Sequence, residues 1–203
     1  MGVKISNLPV IVTPALSDIF PVVQGGVTYK ETLTQLSSLF ALAGANANIT
    51  SLTGLTGGIV GTATNDSAAV GYIGEFLSSV VLTASAVPIT TITATNITSV
   101  SLTAGDWDVW GTMWTKPAAG TITTTAAVAV SQTSATLPTT PAIGGSFQQI
   151  RGLATAATEV CILGTGTTRI SLAATTTIYL VGFIEFTTST MSAYGSLCAR
   201  RVR

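Results

Sequence analysis

Residues 106–114, Asp-Trp-Asp-Val-Trp-Gly-Thr-Met-Trp, carry large apolar side chains at positions that fall on both faces of a β-strand. Successive side chains of a strand point to opposite faces. Trp107 therefore lies on one face, and Trp110 and Trp114 lie on the other. A strand in a β-sandwich normally turns one face to water. We therefore predict that the second face of this strand is buried too, most simply between subunits.

A second stretch, residues 178–186, is also apolar on both faces. One face carries Tyr179, Val181 and Phe183. Because the large side chains of both stretches alternate between faces, packing in a core or an interface is favoured over a sugar-binding platform of tryptophans. The residues predicted to form this core or interface are Trp107, Trp110, Trp114, Tyr179, Val181 and Phe183.

The region around these stretches, residues 81–203, reads as a series of short strands separated by turn signals. The predicted strands span residues 92–102, 107–115, 121–132, 147–153, 159–163, 168–172, 178–186 and 194–202. Threonine and valine favour pleated surfaces, and Gly and Pro clusters separate the segments. No helical pattern intervenes. We predict a mainly β protein with a C-terminal antiparallel β-sandwich, specifically a jelly roll.

Residues 41–80 are predicted to form a stalk and collar. Ile49, Leu52 and Leu55 recur at every third position of the segment Asn-Ile-Thr-Ser-Leu-Thr-Gly-Leu-Thr-Gly-Gly, residues 48–58. That period fits neither a helix nor a strand. It suits an extended chain winding around a threefold axis with two identical neighbours, although a flexible linker has a similar composition. Residues 62–80 are compatible with an extended or a helical collar.

Residues 1–40 are predicted to form a small anchoring unit. Gly25-Gly26 favours a β-hairpin because both glycines tolerate positive φ. A capping box at Thr32-Leu-Thr-Gln35 predicts a short amphipathic helix after the hairpin. This unit is too small to be stable alone, so its apolar side chains must dock on a partner. The predicted anchor residues are Phe20, Val22, Val23, Val27, Leu33, Leu36 and Phe40.

The charge content of the chain predicts an oligomer that does not bind nucleic acid. Charged residues make up only 8% of the sequence, against about 25% in typical soluble domains. A monomer with so few charges would expose much uncharged surface, and association of subunits is the simplest way to bury it. The net charge is +0, which provides no electrostatic attraction to phosphate backbones. Arg200, Arg201 and Arg203 are expected to cap a final strand or pair with carboxylates. The sequence contains no uninterrupted apolar run of about 18 residues, so we predict no insertion into a membrane.

The residues that usually perform catalysis are scarce. The chain has no histidine, which removes His-based triads and most metal sites. We expect no enzymatic activity, no cofactor and no metal. Asp106 and Asp108 could form a glycosidase-like pair, but a turn residue and a solvated strand residue are favoured. Cys161 and Cys198 are predicted to be buried free thiols, with a disulfide left open.

Four segments together resemble the fibre and spike proteins of tailed bacteriophages and prophages. Residues 4–9, 18–30 and 33–36 resemble the N-terminal segment of these proteins, and residues 48–56 are similar to their stalk repeats. Residues 61–75 resemble the segment that precedes their C-terminal β domain. The ending Gly-Ser-Leu-Cys-Ala-Arg-Arg-Val-Arg, residues 195–203, resembles the last strand of that domain.

This resemblance implies a non-enzymatic homotrimer on the surface of a phage particle. Its N-terminus would contact other virion proteins of the tail, collar or head. Its C-terminal knob would be a jelly roll like that of tumour necrosis factor, exposed for attachment to a host-surface glycan. Because the single stalk is short, a head spike or a decoration protein that cements the capsid is the alternative. A polysaccharide depolymerase is the third possibility, and it would depend on Asp106 and Asp108.

Overall fold

The computed structural model describes residues 19–32, 64, 66–139, 145–155 and 159–203. The chain divides into two compact units, Met1–Thr62 and Ala63–Arg203, and each is described by itself. The predicted helix, the predicted stalk residues Ile49, Leu52 and Leu55, and the anchor residues Leu33, Leu36 and Phe40 lie outside the described residues.

The first unit contains the predicted β-hairpin. Strand β1 (Ile19–Gln24) pairs antiparallel with strand β2 (Val27–Thr32), and Gln24 lies opposite Val27. Gly25 and Gly26 form the turn with φ of 59° and 80°. These values lie in the left-handed region that glycine adopts at little cost. Val27, one of the predicted anchor residues, is exposed.

The described part of the second unit is built from ten strands and one short 3-10 turn (Thr83–Ser85). The strands are β3 (Phe76–Val81), β4 (Val87–Ile89), β5 (Thr95–Leu102), β6 (Gly105–Pro117), β7 (Ile122–Ser131), β8 (Ser146–Thr155), β9 (Ile162–Gly164), β10 (Thr168–Leu172), β11 (Thr176–Thr187) and β12 (Met191–Arg201). Strand β10 has the predicted bounds, and the other predicted strands differ by a few residues at their ends. The prediction of a mainly β protein is confirmed.

The strands form two antiparallel sheets. One has six strands in the order β10–β6–β12–β3, in which β9 also pairs with β6 and β4 also pairs with β12. The other has four strands in the order β5–β11–β7–β8. Strand β12 pairs with β6 over its whole length, from Met191 opposite Pro117 to Arg201 opposite Trp107. This arrangement is consistent with a β-sandwich.

The core takes alternate side chains from both sheets. Trp107, Val109 and Met113 of β6 are completely buried, and so are Leu180 and Ile184 of β11. These residues belong to one cluster with inward-facing residues of β5, β7, β10 and β12. These strands were predicted from β-favouring residues bounded by turn signals, and the structure shows which face of each strand enters the core.

Strands β3 and β4 were not predicted. Residues 62–80 had been compatible with an extended or a helical collar, and Phe76–Val81 is extended and pairs with β12. The sheet therefore extends N-terminally of Val81, where the sequence placed the start of the β region. Burial in β3 alternates only between exposed and half-buried positions, and its sequence, Phe-Leu-Ser-Ser-Val-Val, does not alternate between apolar and polar residues. Its conformation depends on pairing with a strand more than a hundred residues away, which local patterns do not report.

Candidate interaction surface

The outer face of the six-stranded sheet carries a patch of aromatic and aliphatic side chains. We call it the aromatic face and define it by Phe76, Val80, Trp110, Trp114, Ile162 and Tyr194. Strand register explains why these residues meet. Trp114 lies opposite Tyr194 of β12 and opposite Ile162 of β9, so the three form one row across the sheet.

The aromatic face is open to solvent within the single chain. Trp114 is 39% exposed, Ile162 is 51% exposed and Val80 is 58% exposed. The rings lie in pairs, with centroids 5.9 Å apart for Trp114 and Tyr194 and 6.1 Å apart for Phe76 and Trp110. Exposed aromatic and aliphatic side chains grouped on one face of a sheet are typical of an interaction surface.

One end of the aromatic face is an apolar groove with a volume of about 460 Å³. Its walls include Val80, Leu82, Trp114 and Tyr194, and Gly195 lies in the lining. A Cβ at Gly195 would collide with the backbone oxygen of Thr112. We call this feature the apolar groove.

The other end of the aromatic face is a more polar cleft with a volume of about 330 Å³. Asp108, Trp110 and Arg200 line it together with Thr165 and Thr167. Asp108 and Arg200 lie directly opposite each other on β6 and β12. We call this feature the polar cleft.

Asp106 lies next to the polar cleft and is held in an ion-pair cluster. Its Oδ2 is 2.7 Å from Arg169 Nη2 and 2.7 Å from Arg203 Nη2, although both arginines are exposed. A hydrogen bond from Ser171 and another from Arg169 lower the pKa of the Asp106 carboxyl from its ordinary value. An ionised carboxylate held in this way is a poor proton donor near neutral pH. The prediction of a turn residue is wrong, because Asp106 lies in β6, where it is buried and ion-paired.

A second ion pair lies inside the molecule. Arg201 Nε donates to Glu75 Oε2 at 2.9 Å, and both side chains are about 95% buried (side-chain exposure 5% and 4%). The Arg201 guanidinium also lies 4.3 Å from the centre of the Trp107 ring. Arg201 and Arg203 therefore pair with carboxylates, as predicted for the C-terminal arginines. Arg200 instead lines the polar cleft.

The structure separates the six predicted core or interface residues into three groups. Trp107 is completely buried in the core. Trp110 and Trp114 lie on the aromatic face. Tyr179, Val181 and Phe183 lie on the outward side of β11, where Val181 is completely buried within the single chain. The burial of Val181 therefore needs no second subunit, which weakens the inference of an interface that was drawn from this strand.

Several residues of the aromatic face were missed in the sequence. Tyr194 occupies an outward position in β12, alternating with the buried Ala193 and Gly195. That alternation was a usable signal. The sequence around Val80 and Ile162 shows no such alternation. These residues lie on edge strands β3 and β9, and their positions on the face depend on pairing with strands that are distant in sequence.

The two cysteines are free and half-buried. Burial raises the pKa of both thiols above the ordinary value. Within the described ranges, no three His, Cys, Asp or Glu side chains are grouped so that they could hold a metal ion. None of the helical segments described has the length and apolar character needed to cross a membrane.

Comparison with protein-family models gave no match for this chain, and no curated protein is significantly similar to it.

Proposed function

We propose that this chain is a non-enzymatic structural protein of a phage particle that assembles as a homotrimer. Its N-terminal unit attaches to other virion proteins, and its C-terminal domain is exposed for attachment to the host surface. The observation that carries the proposal is the aromatic face, an apolar sheet surface that one chain leaves open. The virion setting rests on the resemblance to phage fibre proteins.

The strand order supports a jelly roll like that of tumour necrosis factor. Along the chain, β3 and β4 belong to the six-stranded sheet, β5 to the four-stranded sheet and β6 to the six-stranded sheet again. Strands β7 and β8 are in the four-stranded sheet, and the chain then crosses back to β9 and β10 before β11 and β12 divide between the sheets. This alternation between sheets is typical of a double-sheet jelly roll.

A second copy of the chain is the occupant that best fits the apolar groove. Interface cores are enriched in tryptophan and tyrosine and depleted of charged residues. The groove has Trp114 and Tyr194 in its walls and no charged residue among its lining residues. The chain as a whole carries only 8% charged residues, so few positions on it oppose self-association.

Sedimentation velocity with a matched pair of variants tests the assembly. We expect the full chain to sediment as a trimer at micromolar concentration. Val80→Glu places a charge in the groove and should give a folded monomer, since an unpaired charge in an apolar interface is strongly disfavoured. Ile122→Glu is the control, because Ile122 is also exposed but lies on β7 of the other sheet. A folded wild-type monomer at this concentration would disprove the assembly.

Electron microscopy of purified particles, labelled with an antibody against the C-terminal domain, tests the virion setting. Label on the tail or collar supports an attachment appendage. Label spread over the capsid lattice supports a decoration protein instead. If mass spectrometry finds no peptide of the chain in purified particles, the virion part of the proposal fails.

A further inference from the structure

The polar cleft contains two opposite charges that do not pair with each other. Asp108 and Arg200 are directly opposite on adjacent strands. Neither side chain forms a hydrogen bond or ion pair with any described residue, and the same holds for the hydroxyl of Thr167. By contrast, Asp106 at the adjacent end of β6 binds two arginines. The unpaired groups of the cleft are therefore available to a ligand.

The third feature of the polar cleft is an aromatic surface. Trp110 lines the cleft between the charged groups and the centre of the sheet, and Phe76 supports its ring at a centroid distance of 6.1 Å. A volume of about 330 Å³ is at the lower end of the range for small-molecule sites. The cleft can therefore hold one or two rings of a small ligand.

These groups match the chemistry of a saccharide. The indole of Trp110 offers an apolar plane for the C–H face of a sugar ring. The carboxylate of Asp108 is an acceptor for sugar hydroxyls. Arg200 presents a planar fork of donors that suits a carboxylate by two parallel hydrogen bonds.

The unpaired guanidinium of Arg200 favours an acidic saccharide over a neutral one. Arg169, Arg200 and Arg203 oppose Asp106 and Asp108 at this end of the sheet. Arg169 and Arg203 both pair with the buried Asp106, so Arg200 is the arginine of this group that has no partner among the described residues. A ligand carboxylate can pair with Arg200 by two parallel hydrogen bonds, which a neutral sugar cannot do.

We propose that the polar cleft binds a saccharide that carries a carboxylate, such as a hexuronic acid or a sialic acid. The inference rests on the host-attachment part of the proposed function, and it assigns a site and a ligand class to that attachment. It is compatible with self-association through the apolar groove, because Trp110 and Trp114 are four residues apart. That separation along a strand is about 13 Å.

The test measures binding of defined saccharides to the purified full chain by isothermal titration calorimetry. The probes are trigalacturonic acid, its methyl ester and a sialylated trisaccharide. The ester keeps the sugar ring and removes the negative charge, so it isolates the role of Arg200. Sedimentation velocity on the same samples reports the assembly independently, so failure of binding and failure of trimer formation are distinguished.

Three variants of the full chain assign the site. We expect Arg200→Gln to weaken binding of the acidic probe about ten- to a hundredfold, the loss typical of a hydrogen bond to a charged group. Trp110→Ala should weaken binding of every probe that binds. Arg151→Gln is the control, because Arg151 is also an exposed arginine but lies on β8 of the other sheet.

The outcomes separate the alternatives. Binding of an acidic probe that is lost in Arg200→Gln and kept in Arg151→Gln supports the proposal. Equal binding of acid and ester overturns the assignment of Arg200 to a ligand carboxylate. Absence of binding by all the probes overturns the saccharide site. If Arg200→Gln instead dissociates the trimer, Arg200 pairs with a second copy and the proposal is wrong.

Discussion

Arg201 joins segments of the chain that are far apart in sequence. Besides its ion pair with Glu75, it donates from Nη1 to the backbone oxygen of Ala104 at 2.8 Å and from Nη2 to the hydroxyl of Thr103. The backbone N–H of Arg201 also donates to the backbone oxygen of Glu75 at 2.9 Å. The guanidinium is therefore satisfied from several sides, which a buried charge requires.

Removing Arg201 should destabilise the fold strongly. Arg201→Met leaves the Glu75 carboxylate buried without its cation, and we expect a loss of about 3 kcal/mol in the free energy of unfolding. Urea unfolding at pH 7 measures it. Arg203→Met is the matched control, because Arg203 is 77% exposed. This substitution should lower the free energy of unfolding by no more than about 1 kcal/mol. Equal losses for the two variants would contradict the assigned role of Arg201.

The ion pair also predicts how stability changes with pH. Burial by itself would raise the pKa of Glu75, but a hydrogen bond from the Gly71 N–H and the charge of Arg201 outweigh burial and lower it. A carboxyl with a lowered pKa in the folded state stabilises the fold fully above its unfolded-state pKa of about 4.3. That contribution is lost as the pH falls through the lowered folded-state value.

We therefore expect Glu75→Gln to be less stable than wild type at pH 7 and to lose less stability on acidification. Urea unfolding at pH 7 and at successively lower pH, down to pH 3, gives both quantities. Other carboxyls with a lowered pKa, such as Asp106, also reduce stability on acidification, so the comparison between wild type and variant carries the result. Parallel pH curves for the two proteins would show that Glu75 does not contribute.

Ile92 has a backbone conformation that its side chain disfavours. Its φ is 59°, which is rare for a β-branched residue, and its N–H donates to the backbone oxygen of Ile184 at 3.1 Å. Asparagine tolerates this region, and Ile92 is 63% exposed, so little burial is lost on substitution. Ile92→Asn should raise the free energy of unfolding by about 1 kcal/mol, as measured by thermal unfolding. Ile122→Asn, in an ordinary strand conformation, should give no such gain.

At the scale of elements, the close pairing of β6 and β12 depends on a glycine. Gly195 lies opposite Met113, and a Cβ at this position would collide with the backbone oxygen of Thr112. The backbone cannot move aside as a flexible side chain can. Gly195→Ala should therefore lower the free energy of unfolding, measured with urea, by about 2 kcal/mol or more.

Gly164 provides the control for this substitution. It lies on the other side of β6, opposite Thr112, and the nearest atom to an added Cβ is 3.9 Å away. Gly164→Ala should therefore change stability by less than about 1 kcal/mol. A small effect of Gly195→Ala would mean that the register of β6 and β12 differs from the one described.

The strands that could be predicted from the sequence are those in which β-favouring residues are bounded by turn signals. In β6, Trp107 is buried and Trp114 is exposed, and the sequence separated these two residues by their parity. In β3, hydroxyl residues and partial burial remove that signal. The pairing of Glu75 with Arg201 could not be predicted either, because Glu75, the residue before β3, approaches β12 only through the sheet topology.

The candidate site shows the same division. Trp110 and Trp114 were identified because they share one face of a single strand. The polar cleft needs Asp108 on β6, Arg200 on β12 and Thr167 before β10 to be brought together. Local periodicity places each residue on a face, but only long-range pairing places the three side by side.

At the scale of the whole molecule, the strands and ion pairs of the second unit predict where it can be cut. Its boundary is Ala63, whereas the sequence placed the start of the β region at Val81. A fragment of residues 81–203 lacks β3 up to Val80 and lacks Glu75. It exposes the edge of β12 and leaves Arg201 buried without its carboxylate, and both changes are unfavourable.

We therefore expect Ala63–Arg203 to fold alone and to unfold cooperatively, while residues 81–203 should be unfolded or aggregated. Circular dichroism with thermal unfolding of the two fragments measures this, and equal stability would show that β3 and Glu75 are dispensable. Sedimentation of Ala63–Arg203 then decides what the N-terminal unit adds. If self-association through the apolar groove is sufficient, this fragment is a trimer. If it is a folded monomer while the full chain is a trimer, residues before Ala63 supply the missing contact, as the threefold pattern of Ile49, Leu52 and Leu55 predicts.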